Sequence, residues 1–207
     1  MSIIPFYGAE NREMFAIERM AMDRPGLVID HLNAALPNGP LLDIGAGDGF
    51  TADALNRPGR TMVGIEPAVG MFDQTRSLMY VRGSAEALPF RDEAFNGAYA
   101  SWAYFFPGHL DISPGLAEAQ RVVRPGGPLV VVDNYGGDEF SGLLSQTGVV
   151  DRGYWEGQGF EVEQIETVFE FSSPADAKQL MSFYAGKALS GVPTVISYRV
   201  AVMTKTM

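Results

Sequence analysis

The 207-residue chain has no cysteine, only three lysines (Lys178, Lys187, Lys205) and only two histidines (His31, His109). Without cysteine, disulfides, thiolate metal sites and cysteine nucleophiles are excluded. No stretch approaches the roughly 18 consecutive apolar residues of a membrane-spanning helix. The N-terminus, MSIIPFYGAENREMF, has no basic leader and no signal-like apolar stretch, so a cytoplasmic location is expected. Basic charge is also scarce. Fifteen Lys and Arg face 25 Asp and Glu, a formal charge of −10. Phosphate backbones and anionic membranes would meet net repulsion, and no basic cluster overrides it. Nucleic acid and membrane are therefore not expected as partners. His, Asp and Glu show no metal-ligand spacing, so no metal is expected. No nucleophile elbow is present, which disfavours a hydrolase. What remains is a globular composition, 46% apolar, long enough for one full core as a monomer or a homodimer.

The most informative stretch is Leu41–Phe50, LLDIGAGDGF. Leu41, Leu42 and Ile44 form an apolar run without helical period, as in a strand covered on both faces. Gly45, Gly47 and Gly49 follow at once. Glycine accepts positive φ and lacks Cβ, so a ligand can lie against bare backbone. Thr51–Leu55 then continues as a helix whose free N–H groups would point at a bound polar group. A dinucleotide turn needs a small third residue for close helix–strand packing, and Phe50 stands there instead.

The rest of the chain alternates strand and helix. Met14, Ile17 and Met20 mark one helix, and Leu27, Ile29, Leu32 and Leu36 the next, with Pro25 placed in its first turn. Strands are expected at Thr61–Ile65, Leu78–Val81, Phe95–Ser101 and Leu129–Val132. Helices are expected from Met71 to Thr75 and through Leu116–Val123, the latter stopped by Arg124-Pro125-Gly126-Gly127. Residues 138–160 carry a patchy helical signal. Glu161–Phe171 alternates as a long strand. Ser173 caps a helix containing Ala177, Leu180, Met181 and Tyr184, and Val195–Met203 is the last strand. The spacing predicts an α/β, Rossmann-like doubly wound sheet of seven strands, mostly parallel, with helices on both faces.

Four motifs occur in a fixed order between Leu41 and Asp133. They are Asp43–Gly49; Gly64-Ile65-Glu66-Pro67, with its acid 23 residues beyond Asp43; Gly83-Ser84-Ala85-Glu86-Ala87-Leu88-Pro89-Phe90; and Leu116–Val123 with Arg124–Gly127. Together they resemble the class I S-adenosylmethionine-dependent methyltransferases, nearest the small type-11-like branch. The resemblance implies one domain over residues 1–207. Residues 1–36 would form an N-terminal helical cap and 37–133 the cofactor-binding core. Residues 134–207 would supply substrate-side segments and an antiparallel edge. It further implies methyl transfer from S-adenosylmethionine to a small molecule.

The resemblance places cofactor contacts at Asp43, Gly45, Ala46, Gly47, Glu66, Pro67, Ser84, Ala85, Glu86 and Ser101, with Tyr7 closing from the N-terminal segment. Glu66, ending its strand, can accept both hydroxyls of a ribose. Ser84 departs from the family's usual aspartate, and Asn96 from its usual aspartate before the fourth strand. Trp102 and Tyr104 are candidate walls of a substrate pocket, and His109 and Tyr135 lie on the same side. His109 is the one candidate proton acceptor, while His31 reads as solvated or structural. Two other readings stay open: a binding protein for the same cofactor without catalysis, and an NAD-dependent oxidoreductase, which Phe50 disfavours.

Overall fold

The computed structural model describes residues 11–76, 78–103, 111–144 and 150–207. The elements run α1 (Arg12–Ala21), α2 (Leu27–Ala35), β1 (Gly39–Ile44), α3 (Phe50–Leu55), β2 (Arg60–Glu66), β3 (Met79–Arg82), β4 (Gly97–Ser101), α4 (Ser113–Val122), β5 (Pro128–Asn134), α5 (Glu139–Leu143), α6 (Arg152–Gly157), β6 (Glu161–Glu170), α7 (Pro174–Ala185) and β7 (Val195–Thr206). The sheet has seven strands in the order β3-β2-β1-β4-β5-β7-β6. The first five are parallel, and β7 runs antiparallel to both β5 and β6. The expected fold is therefore present, with the reversed strand lying one in from the edge.

Strand alternation divides the core into two layers. Leu41, Met62, Tyr99, Val130, Val132, Tyr198, Val200 and Val202 face α1, α2, α3, α5 and α7. Leu42, Ile44, Ile65, Ala100, Val131, Ala201 and Met203 face α4, α6 and the segment through Leu88. The edge strand β6 exposes Glu161, Glu163, Glu166 and Glu170, a charge row that discourages further strand pairing.

Local chemistry fixes the element ends. Asp23 accepts the N–H groups of Leu27 (3.1 Å) and Val28 (2.8 Å), so α2 starts at Leu27 and Pro25 precedes it. Ser173 accepts from the N–H of Asp176 at 3.1 Å, the cap expected from sequence. Arg60 is buried where α2 and α3 end. Its guanidinium donates to Pro37 O (3.1 Å), Asn33 Oδ1 (2.7 Å), Asn33 O (2.8 Å), Leu55 O (3.2 Å) and Leu36 O. One side chain thus satisfies carbonyls that helix termini leave without partners.

One expected helix is absent. In place of a helix from Met71 to Thr75 there is a single 3-10 turn, Val69–Met71. Phe72 stacks on Tyr80 at 4.4 Å, and Asp73 accepts from both the N–H (2.9 Å) and the hydroxyl of Thr75 (2.7 Å). That side-chain turn competes with helical hydrogen bonding. β4 begins at Gly97, two residues later than expected, because Phe95 makes only an isolated bridge to Val123. Among the described residues, no helix is long and apolar enough to cross a membrane.

Candidate functional site

The glycine turn joins β1 to α3 at the carboxyl end of the parallel strands, where open α/β sheets place ligands. The N–H groups of Gly45 (2.8 Å) and Ala46 (3.0 Å) both donate to Ile65 O, tying the turn to β2. Gly45 has φ +77°, and a Cβ there would come within 2.4 Å of the Ala103 methyl. Gly49 has φ +78° and opens α3, with Leu78 and the Tyr80 hydroxyl in the space a Cβ would need. Any side chain at these two positions meets both backbone strain and a clash.

Glu66 closes the turn from β2. One carboxylate oxygen accepts the Gly47 N–H at 3.1 Å and the other the Ala68 N–H at 2.8 Å. Burial pushes its carboxyl above the usual range, and those two N–H groups partly offset the effect. Pro67 follows, half-buried.

Asp43 lies one strand over, fully buried. Tyr99 on β4 donates its hydroxyl to Asp43 Oδ2 at 2.8 Å, and Asp43 Oδ1 is buried with no hydrogen-bond partner. Burial pushes the Asp43 carboxyl up to about 7, against the lowering pull of Tyr99 and of the Arg19 charge. Burial holds the Tyr99 hydroxyl protonated well beyond its usual range, so it remains a donor.

Ser84, Ala85 and Glu86 lie on the loop after β3. Ala85 is buried with Ile65, Ser84 is half-buried and Glu86 is exposed. The loop is held from α4. Leu88 N–H donates to Glu118 Oε2 at 2.9 Å, and Arg121 donates to Leu88 O (3.2 Å), Phe90 O (2.8 Å) and Asp92 (2.7 Å). Arg121 also pairs with Glu118 at 2.7 Å, which keeps the Glu118 carboxyl below its usual range.

Ser101, at the end of β4, is buried with its hydroxyl 3.5 Å from that of Thr51 at the start of α3. Trp102 has φ +47°, which is unusual for a bulky side chain. Its indole N–H donates to the Tyr198 hydroxyl at 2.7 Å, and Tyr198 donates to Asn134 Oδ1. Tyr135 does not join Trp102. It packs on the opposite face of the sheet, beside Val150 and Tyr154. His31 lies 3.7 Å from the Glu163 carboxylate on β6, away from the turn. Tyr7, Tyr104 and His109 fall outside the described residues.

Sequence reasoning did not single out Arg19, Arg76, Tyr99 or Asp133. Phe50 lies between two guanidinium groups, Arg19 at 5.8 Å and Arg76 at 5.5 Å, and Arg19 also covers the Phe15 ring at 4.8 Å. Arg76 is tied to Asp48 (3.3 Å) and Asp53 (3.1 Å). The available signal was the Phe15–Arg19 spacing of four on α1, which puts both on one helix face. Asp133 lies one residue before the end of β5, its carboxylate accepting the next N–H (Asn134, 2.7 Å), and burial pushes it up to about 7. Among the described residues, no group of three or more His, Asp or Glu could hold a metal ion.

This sheet order, with a glycine turn after β1 and an acid ending β2, agrees with the fold expected from the resemblance to the class I S-adenosylmethionine-dependent methyltransferases. Residues 42–131 match the methyltransferase-domain family. Over 99 residues, 47% of this chain and 42% of the relative, the sequence is 34% identical to a demethylmenaquinone methyltransferase of Corynebacterium kroppenstedtii. A demethylmenaquinone methyltransferase of a Mycobacterium species is 37% identical over 105 residues, 48% of this chain and 45% of the relative. The matches thus span less than half the length of these curated relatives. Among solved structures, a Thermotoga maritima protein described as a SAM-dependent methyltransferase, possible histamine N-methyltransferase, aligns with TM-score 0.61 and 22% identity over 95% of each chain. The YcgJ protein of Bacillus subtilis aligns with TM-score 0.59 and 20% identity, covering 86% of this chain and 95% of that one. Both share the fold.

Proposed function

We propose that the chain transfers a methyl group from S-adenosylmethionine to a small-molecule acceptor. The observation that carries this reading is the Glu66 carboxylate, bonded to the Gly47 N–H at the end of β2 and beside the bare backbone of Gly45–Gly47. The buried, unpartnered Asp43 Oδ1 supports it further, since such an oxygen fits a polar group brought by a ligand. The matched methyltransferase domain and relatives named for demethylmenaquinone methylation support a small acceptor.

The residues present fit the cofactor. Glu66 would hold the ribose hydroxyls, and Gly45, Ala46 and Gly47 would line the methionine portion, with Asp43 Oδ1 facing its polar end. Ala85 and Leu88 would contribute apolar contact to the adenine, and Ser84 one uncharged hydrogen bond. When bound, S-adenosylmethionine supplies an activated methyl on a sulfonium. The protein's own contribution is then alignment and exclusion of water. Ser101 and Trp102 stand at the end of β4, beside the turn, where they would orient the acceptor.

Calorimetric titration of S-adenosylmethionine and S-adenosylhomocysteine tests the reading. Micromolar binding by the wild type is expected, weakened at least about tenfold by Glu66→Ala, or roughly 1.4 kcal/mol. No binding by the wild type, together with binding of NADH, would overturn it in favour of an oxidoreductase.

A further inference from the structure

A cavity of about 180 Å³ lies between the α1–α2 corner, the start of α3 and Trp102. Apolar cavities of about 150 Å³ are large enough to take a benzene ring. The walls are mainly apolar: Met22, Val28, Leu32, Phe50 and Trp102 all contribute. None of Asp43, Gly45, Ala46, Gly47 or Glu66 lines it, so it lies beside the cofactor cradle, although the Arg19 charge on its wall acts on Asp43.

Arg19 brings a charge to this apolar wall. Its guanidinium is held by the Phe15 and Phe50 rings, and its Nε is buried without a hydrogen-bond partner. Among the described residues, Arg19 forms no ion pair. The nearby acids have other partners, and Asp43, on which the Arg19 charge acts, is bonded to Tyr99. Glu18 accepts from the Tyr184 hydroxyl, and Asp23 serves Leu27 N, Val28 N and the Thr167 hydroxyl. A guanidinium preorganised in this way and in no close ion pair favours an incoming carboxylate, because the bond is charge-assisted and partly desolvated.

We propose that this cavity binds the methyl acceptor, that the acceptor is an aromatic carboxylate of about one ring, and that Arg19 pairs with its carboxylate. The inference rests on the methyltransferase reading and adds the acceptor class to it. The amino-acid end of the cofactor suits the cavity less well. It carries an ammonium as well as a carboxylate, while the cavity adds a second cation, Arg24, and its one acid, Asp23, is already committed.

The test is calorimetric titration of benzoate and of neutral benzyl alcohol, each into the free protein and into protein saturated with S-adenosylhomocysteine. Wild type should prefer benzoate by about tenfold or more. Arg19→Gln should reduce that preference to within about twofold while S-adenosylhomocysteine affinity stays within about twofold. Arg19→Lys keeps the charge and should retain a preference of about threefold, which decides the matter if the glutamine variant does not fold. Three results overturn the proposal: no benzoate binding by wild type, a preference that survives Arg19→Gln, or a preference lost in Arg19→Lys. A tenfold loss of S-adenosylhomocysteine affinity in Arg19→Gln with benzoate unchanged also overturns it, assigning Arg19 to the cofactor's own carboxylate. Failure of S-adenosylhomocysteine to bind wild type is read separately, and it counts against the methyltransferase reading itself.

Discussion

Tyr99 on β4 donates its hydroxyl to Asp43 on the neighbouring strand β1, the one hydrogen bond of this fully buried carboxyl among the described residues. Between its ordinary value of 3.8 and about 7, Asp43 is protonated in the folded protein and ionised in the unfolded chain. Folding takes up a proton in that interval. The stabilising contribution is complete below pH about 4 and is lost as pH rises toward 7. The interval corresponds to at most about 4 kcal/mol. Asp43→Asn keeps an acceptor for Tyr99 and has nothing to ionise. Its Tm should exceed that of wild type at pH 8 and converge with it near pH 4, measured by calorimetry across pH. A difference independent of pH would contradict the assignment. S-adenosylhomocysteine affinity of the variant should fall, since Oδ1 becomes part of a neutral amide.

Glu66 separates two roles that one substitution can confuse. Glu66→Gln keeps one acceptor for the Gly47 and Ala68 N–H groups but loses the charge that favours paired hydroxyls. It should bind S-adenosylhomocysteine several-fold more weakly than wild type and several-fold more tightly than Glu66→Ala. Equal affinity in the two variants would mean that the carboxylate acts only by holding the turn.

Arg121 holds the Ser84–Phe90 loop by main-chain bonds to Leu88 and Phe90. Arg121→Ala should loosen that loop and weaken S-adenosylhomocysteine binding a few-fold. Stability should fall by about 1–3 kcal/mol, as hydrogen bonds to a charged group are lost. Hydrogen exchange at Leu88 and urea melts read the two effects separately.

The Trp102 ring is held by Tyr198. Tyr198→Phe leaves the indole N–H without its acceptor and should cost about 1–3 kcal/mol. In a Trp155→Phe background only Trp102 emits, since the chain has two tryptophans. Its emission should shift on Tyr198→Phe, and an unchanged spectrum would show that Trp102 keeps its place without the bond.

The core of this site was readable because it is local. The apolar run Leu41–Ile44, the three alternating glycines and Glu66 lie on two consecutive strands, and their spacing is enough to bring them together. Sequence spacing does not encode the contacts that join distant parts of the chain. Tyr99 reads as one more apolar position on β4, and nothing in its own strand says that its hydroxyl meets Asp43. Arg19 reads as a polar residue on a helix whose buried stripe is Met14, Phe15, Glu18 and Ala21. Its role follows from how α1 lies on the turn, which periodicity does not encode. The helix expected at Met71–Thr75 failed for a complementary reason: Asp73 and Thr75 form a turn of their own, and the stack of Phe72 on Tyr80 holds the chain there. Tyr135, expected on the substrate side with Trp102, packs on the other face of the sheet, since a single-residue change of phase along a strand reverses the face.

The place of β7 in the sheet also constrains the order in which the molecule can assemble. β6 precedes β7 in sequence yet lies outside it, so within the sheet β6 joins only through β7. The β6–β7 pair, joined through α7, therefore attaches to the rest of the sheet through β7 alone, over pairings far from the glycine turn in sequence. Such long-range closure is slow relative to local helix formation. Because Tyr198 belongs to β7, the Trp102 wall of the cavity is complete only once β7 has docked on β5.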